Sequence, residues 1–146
     1  MKTIKKSIEI TSPKESVWAV LMEDSYNRDW MSHFSPGSHP ETDWIVGHKV
    51  VYKDDSDFGI VGEIEEKRPY EYLSVVYSHM IMNGVEDTES EESKSVKGNH
   101  ETYTLTERNG NTVLEITSDM DDKYYDEMSL AWESALQRIS ELSHAI

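Results

Sequence analysis

Cysteine is absent from the chain, which removes disulfides, a thiol nucleophile and any cysteine-held metal from consideration. Basic residues are scarce: 14 Lys and Arg stand against 29 Asp and Glu, for a formal net charge of −15. A phosphate backbone is held by clustered cations, so nucleic acid is excluded as a partner. Long apolar runs are missing too. The opening Met1-Lys2-Thr3-Ile4-Lys5-Lys6 lacks the apolar centre of a signal peptide, and no later stretch approaches membrane-spanning length. A soluble cytoplasmic protein without membrane insertion is expected. Several motifs of common chemistries are absent as well: there is no Gly-x-Ser-x-Gly elbow, phosphate loop, dinucleotide fingerprint or His-Glu-x-x-His helix. Hydride transfer, nucleotide hydrolysis and zinc proteolysis lose their machinery, and neither a cofactor nor a metal is expected.

What is present is bulk. Only 36% of residues are apolar, yet four Trp, eight Tyr and seven Met supply side chains that fill a core or line a cavity. A chain of 146 residues buries a substantial core as one domain, 1–146. The acidic excess serves solubility.

Hydrophobic periodicity orders the elements. Ile4, Ile8 and Ile10 alternate as one face of a first strand. Ser12-Pro13-Lys14-Glu15 has the form of a capping box, with Ser12 as cap, opening a helix that buries Val17, Trp18, Val20 and Leu21. A second short helix is expected over 24–31, with Tyr26, Trp30 and Met31 inward, followed by a loop over 35–40. From residue 46 the period becomes two. His48, Val50 and Tyr52 share one face; so do Ile60, Gly62 and Ile64; so do Leu73, Val75, Tyr77 and His79. Two further strands, one carrying Tyr103, flank the tight-turn pair Asn109-Gly110. Residues 85–95, with five carboxylates within seven positions, are expected as a solvated loop. The chain closes with an amphipathic helix over 122–142, on which Met128, Ala131, Trp132, Ala135, Ile139 and Leu142 form one stripe. The fold class is therefore α+β: a curved antiparallel sheet of about six to seven strands wrapped round a long C-terminal helix, with two short helices after the first strand.

Such an arrangement has room between sheet and helix. The residues expected to line it are Trp30, Met31, His48, Tyr52, Ile60, Gly62, Val75, Tyr77, His79, Tyr103, Met128 and Trp132. Aromatic and Met walls would hold an apolar body, while His48, His79 or a tyrosine hydroxyl would orient a polar head. Gly62 permits a bend or leaves space.

This order of elements resembles the helix-grip fold of the START and birch-pollen-allergen-like (SRPBCC) superfamily. Residues 13–21 and 131–139 are similar to the opening and ending of homologues of the heat-shock protein 90 ATPase activator, with Ala131 where members often carry the Gly of a Gly-Trp pair. Residues 43–47, Gly59 and Gly62-Glu63-Ile64 are similar to that family's central strands, and residues 111–114 to its hairpin. The resemblance covers nearly the whole chain and implies a cavity between sheet and long helix, roofed by the short helices. It implies no single reaction, because the superfamily includes lipid carriers, hormone receptors, cyclases and co-chaperones. Three readings stand in order: a non-catalytic module for a small apolar or amphipathic ligand; a stress-related interaction module with a chaperone partner; and a small cyclase- or hydrolase-like enzyme using an inward His with a nearby carboxylate. Monomer and homodimer both remain open.

Overall fold

The computed structural model describes residues 1–146. Its core element is one antiparallel sheet of eight strands: β1 (Lys2–Ile10), β2 (His39–Glu41), β3 (Lys49–Lys53), β4 (Gly59–Arg68), β5 (Tyr72–Met82), β6 (Val85–Asp87), β7 (His100–Arg108) and β8 (Asn111–Met120). The spatial order is β1-β8-β7-β5-β4-β3-β2, with the short β6 added to β5. Helices α1 (Lys14–Met22) and α2 (Asp24–Trp30) connect β1 to β2, α3 (Glu91–Lys94) lies between β6 and β7, and α4 (Tyr125–His144) closes the chain. The α+β helix-grip arrangement expected from the sequence is the one observed. No helix is long and apolar enough to cross a membrane.

Period-two patterning builds the concave face. Along β8, Thr112, Leu114, Ile116 and Ser118 are buried in alternation, and β1 contributes Ile4 and Ile10. Trp132, Ala135, Leu136 and Ile139 of α4 pack into the same core. The stripe predicted on α4 is thus displaced slightly, with Leu136, Ser140 and Ser143 buried while Ala131 and Leu142 are half-buried. A bidentate pair fixes α4 against α2: Arg138 donates from Nε and Nη2 to the Asp29 carboxylate at 2.7 and 2.8 Å. The guanidinium holds that carboxyl below its usual range. The hairpin at Asn109-Gly110 forms as predicted, with both residues at positive φ.

Three local expectations are corrected. The loop expected over 35–40 ends early, because His39 and Pro40 pair with Lys53 and Tyr52 as part of β2. The capping box does not form. Pro13 occupies the cap position, its carbonyl accepting from the Ser16 and Val17 amides, and no side chain caps the helix. Ser12 is instead buried beneath Thr112, whose hydroxyl donates to the Ser12 carbonyl at 2.8 Å. The acidic stretch 85–95 is also not a loop throughout. Val85–Asp87 pairs with β5 through the two-residue turn Asn83-Gly84, at φ 54° and 77°, and Ser90 caps α3 by accepting from the Ser93 amide. Ser93, fully buried, ties the segment down: its hydroxyl accepts from the Met80 amide at 2.8 Å and donates to the Asp87 carbonyl. Ser93→Ala leaves both backbone groups without that partner, and is expected to cost about 1–3 kcal/mol. Urea unfolding measures the loss, and limited proteolysis should show new cleavage within 85–95. Unchanged cleavage would mean that the segment is held by something other than Ser93.

Candidate functional site

Two adjoining hollows lie on the concave sheet face: one of about 330 Å³ beneath the end of α2 and α4, the other of about 340 Å³ bordered by residues 92–99 and the start of α4. Phe58, Ile60, Tyr77, Glu101 and Met128 border both. Eight of the twelve residues expected to line a cavity border the first: Trp30, Met31, Tyr52, Ile60, Tyr77, Tyr103, Met128 and Trp132. Its wall carries two groups of aromatic rings. The Trp132 ring meets Phe34 edge-on at 4.9 Å, Tyr103 at 6.0 Å and Trp30 at 6.1 Å, and Tyr52 meets Tyr77 at 6.2 Å. The Trp30 indole is anchored by donating to the Val20 carbonyl at 3.0 Å.

The other four expected residues lie elsewhere. Val75 is fully buried within the packed core. Gly62 is enclosed by β5: a Cβ there would stand 2.7 Å from the Val76 carbonyl oxygen and 3.1 Å from Tyr77 Cδ1. His48 precedes β3, lies exposed, and donates from Nδ1 to Asp43 at 2.7 Å. His79 is turned outward by a β-bulge. Val61 pairs with His79 but Gly62 pairs with Tyr77, so Ser78 is an extra residue and the alternation inverts across it. On the outer face His79 Nε2 donates to Glu86 at 2.6 Å, and Lys49 reaches the same carboxylate at 3.0 Å. No histidine borders either hollow, so the reading built on an inward His as general base loses its residue.

The sequence reading missed Glu101. It shares the inner face of β7 with Tyr103, and its cross-strand partners are Val75 of β5 and Ser118 of β8. Tyr103 donates its hydroxyl to Glu101 Oε2 at 2.8 Å, and the Tyr77 and Ser118 side chains lie near enough to favour the charged carboxylate. Some Glu101 surface remains accessible along the hollows, but the protein packed around it withdraws it from bulk water. Burial pushes its carboxyl above the usual range against the pull of the three hydroxyls. Burial and then the neighbouring Glu101 charge raise Tyr77 and Tyr103 well above an ordinary phenol, so both remain neutral donors. Two polar atoms in the wall have no partner: the Tyr52 hydroxyl and Trp132 Nε1 are buried without a hydrogen bond.

A curled half-barrel gripping a long helix, with hollows between them, defines a START-like domain of the SRPBCC type. The chain belongs to the family described as Activator of Hsp90 ATPase homolog 1-like protein, whose model matches residues 11–144. Solved structures agree on the fold at low identity. Protein MLL2253 from Mesorhizobium loti is 16% identical with a TM-score of 0.77, covering 97% of this chain and 96% of that one. The Aha1 dimer from Colwellia psychrerythraea is 13% identical with a TM-score of 0.71, over 97% and 95%. DynU16, from the dynemicin biosynthetic locus, is 13% identical with a TM-score of 0.72; the match spans 97% of this chain but 46% of that one. No curated protein matches the chain in sequence.

Proposed function

We propose that this chain is a single-domain, non-catalytic module that holds a small apolar or amphipathic molecule between the sheet and α4. The observation carrying this reading is a mainly apolar, aromatic-walled hollow of about 330 Å³ bordered by a few convergent polar groups, the usual make-up of a small-molecule site. Buried polar atoms normally find partners, and the unpartnered Tyr52 hydroxyl and Trp132 Nε1 are groups that a bound molecule or a trapped water would satisfy. Binding supplies the function without an acid–base pair.

Native mass spectrometry of the freshly purified protein and thermal melting against a panel of lipids and aromatic compounds test the proposal. A ligand at a hundredfold excess over its Kd stabilises by about 2.7 kcal/mol, which for a chain of this size raises Tm by roughly 5–10 °C. Ile60→Trp, placed where both hollows meet, should abolish the shift while preserving the fold. A panel without any shift, together with no co-purified molecule, would sink the reading.

A further inference from the structure

The two hollows are unbalanced in charge. Asp54, Glu92, Glu101, Asp119 and Asp121 border them, against one basic residue, Lys53, whose Nζ is engaged by Glu41 at 3.2 Å. Four of the five carboxylates are occupied by local donors. Asp54 accepts from Ser35, Ser56 and the Phe58 amide, Glu92 from the Tyr124 hydroxyl, Asp119 from Thr3 and the His100 amide, and Asp121 caps the turn at Lys123. Glu101 differs. It borders both hollows, receives only neutral hydroxyls, and has no cation or backbone amide among its partners. A carboxylate offers roughly four lone-pair sites, and the Tyr103 hydroxyl takes one of them at 2.8 Å, so Glu101 keeps acceptor capacity to spare. The Tyr52 hydroxyl oxygen, a second acceptor in the same wall, is also unused.

We infer that the ligand of this site is a cationic amphiphile, a protonated amine on an apolar body, with its ammonium set between Glu101 and Tyr52 and its body against the aromatic wall. This rests on the container reading above and specifies its occupant. An ammonium group donates to both unused acceptors and neutralises a carboxylate that burial otherwise penalises. Tyr52, Tyr77, Tyr103 and Trp132 border the same hollow, and an aromatic ring attracts a cation set over its face. An anionic head would meet Glu101 directly, and a neutral chain would leave it uncompensated.

Octylamine, octanol and octanoate share a chain and differ in head charge, so calorimetric titration of the three at raised ionic strength reads the preference with surface attraction screened. The wild-type protein is expected to bind octylamine at least about tenfold more tightly than octanol, as a charged hydrogen bond implies, with octanoate weakest. Glu101→Gln keeps the shape and removes the charge; it should bring amine and alcohol to within about threefold of each other, a ratio that surface charge alone would leave unmoved. Octanol or octanoate binding the wild type as tightly as the amine overturns this assignment and leaves the container standing. So does an amine preference that survives in a folded Glu101→Gln. Binding of none of the three overturns this assignment, and the lipid and aromatic panel then decides the container reading on its own.

Discussion

Gly62→Leu is expected to cost more than about 3 kcal/mol, lowering Tm by roughly 6–12 °C. The side chain would have to begin 2.7 Å from the Val76 carbonyl oxygen, inside the contact distance of any real Cβ, with Tyr77 and Val75 close behind. Backbone cannot yield as a flexible side chain can. Val76 and Tyr77 run into the bulge at Ser78, and the Tyr77 amide and carbonyl are both taken, by the Asn99 carbonyl and Gly98 amide at 2.8 and 2.9 Å. Relief therefore requires β4 and β5 to part at the bulge. That bulge keeps Tyr77 facing Glu101 and turns His79 away, so a folded remnant of Gly62→Leu should also lose ligand affinity. Gly62→Ala separates the causes: it meets the same carbonyl but not the additional bulk, and should show a smaller loss of the same sign. Urea unfolding measures both, and a cost below about 1 kcal/mol for leucine would mean that the strands are not packed as closely as described.

Elements whose cause is local were legible in the sequence. The stripe of α4 and the Asn109-Gly110 hairpin follow from residue spacing and from a turn that requires positive φ. Asn83-Gly84 carries the same signal, and the carboxylates that follow it read as a loop, although Asp87 accepts from the Glu89 and Ser90 amides and so orders the turn after it. Eight residues bordering the first hollow were reached by counting alternation along strands and helix faces. Glu101 lay within that count, two positions before Tyr103 on the same face, but a carboxylate is not expected inward without partners, and its partners Tyr77 and Ser118 come from other strands. His79 was out of reach for a different reason. No residue type marks an extra position at Ser78; it is visible only in how β4 pairs with β5. Gly62 reads in sequence as a bend or as space left open; of the two, the space is filled by a neighbouring backbone.

Trp30 and Trp132 look interchangeable in sequence, two buried indoles on one hollow at 1% and 2% exposure, yet their removal should differ. Truncation of a buried aromatic costs about 3–5 kcal/mol. Trp30→Ala is expected at the top of that range, because the change also strips the Val20 carbonyl of its indole donor near the end of α1. Trp132→Ala is expected at the bottom. Its Nε1 satisfies nothing and is buried without a partner, so deleting it removes a desolvated donor along with the packing. The space it leaves joins a hollow of about 330 Å³ instead of forming a sealed void. The phenylalanine variants isolate the hydrogen bond from the volume: Trp132→Phe should be milder than Trp30→Phe by about 1 kcal/mol, the net worth of a typical hydrogen bond. Denaturant unfolding of the ligand-free protein decides it. Equal costs, or the reverse order, would show that Trp132 Nε1 is satisfied in solution, and would remove one of the two orphaned groups on which the reading of a ligand site depends.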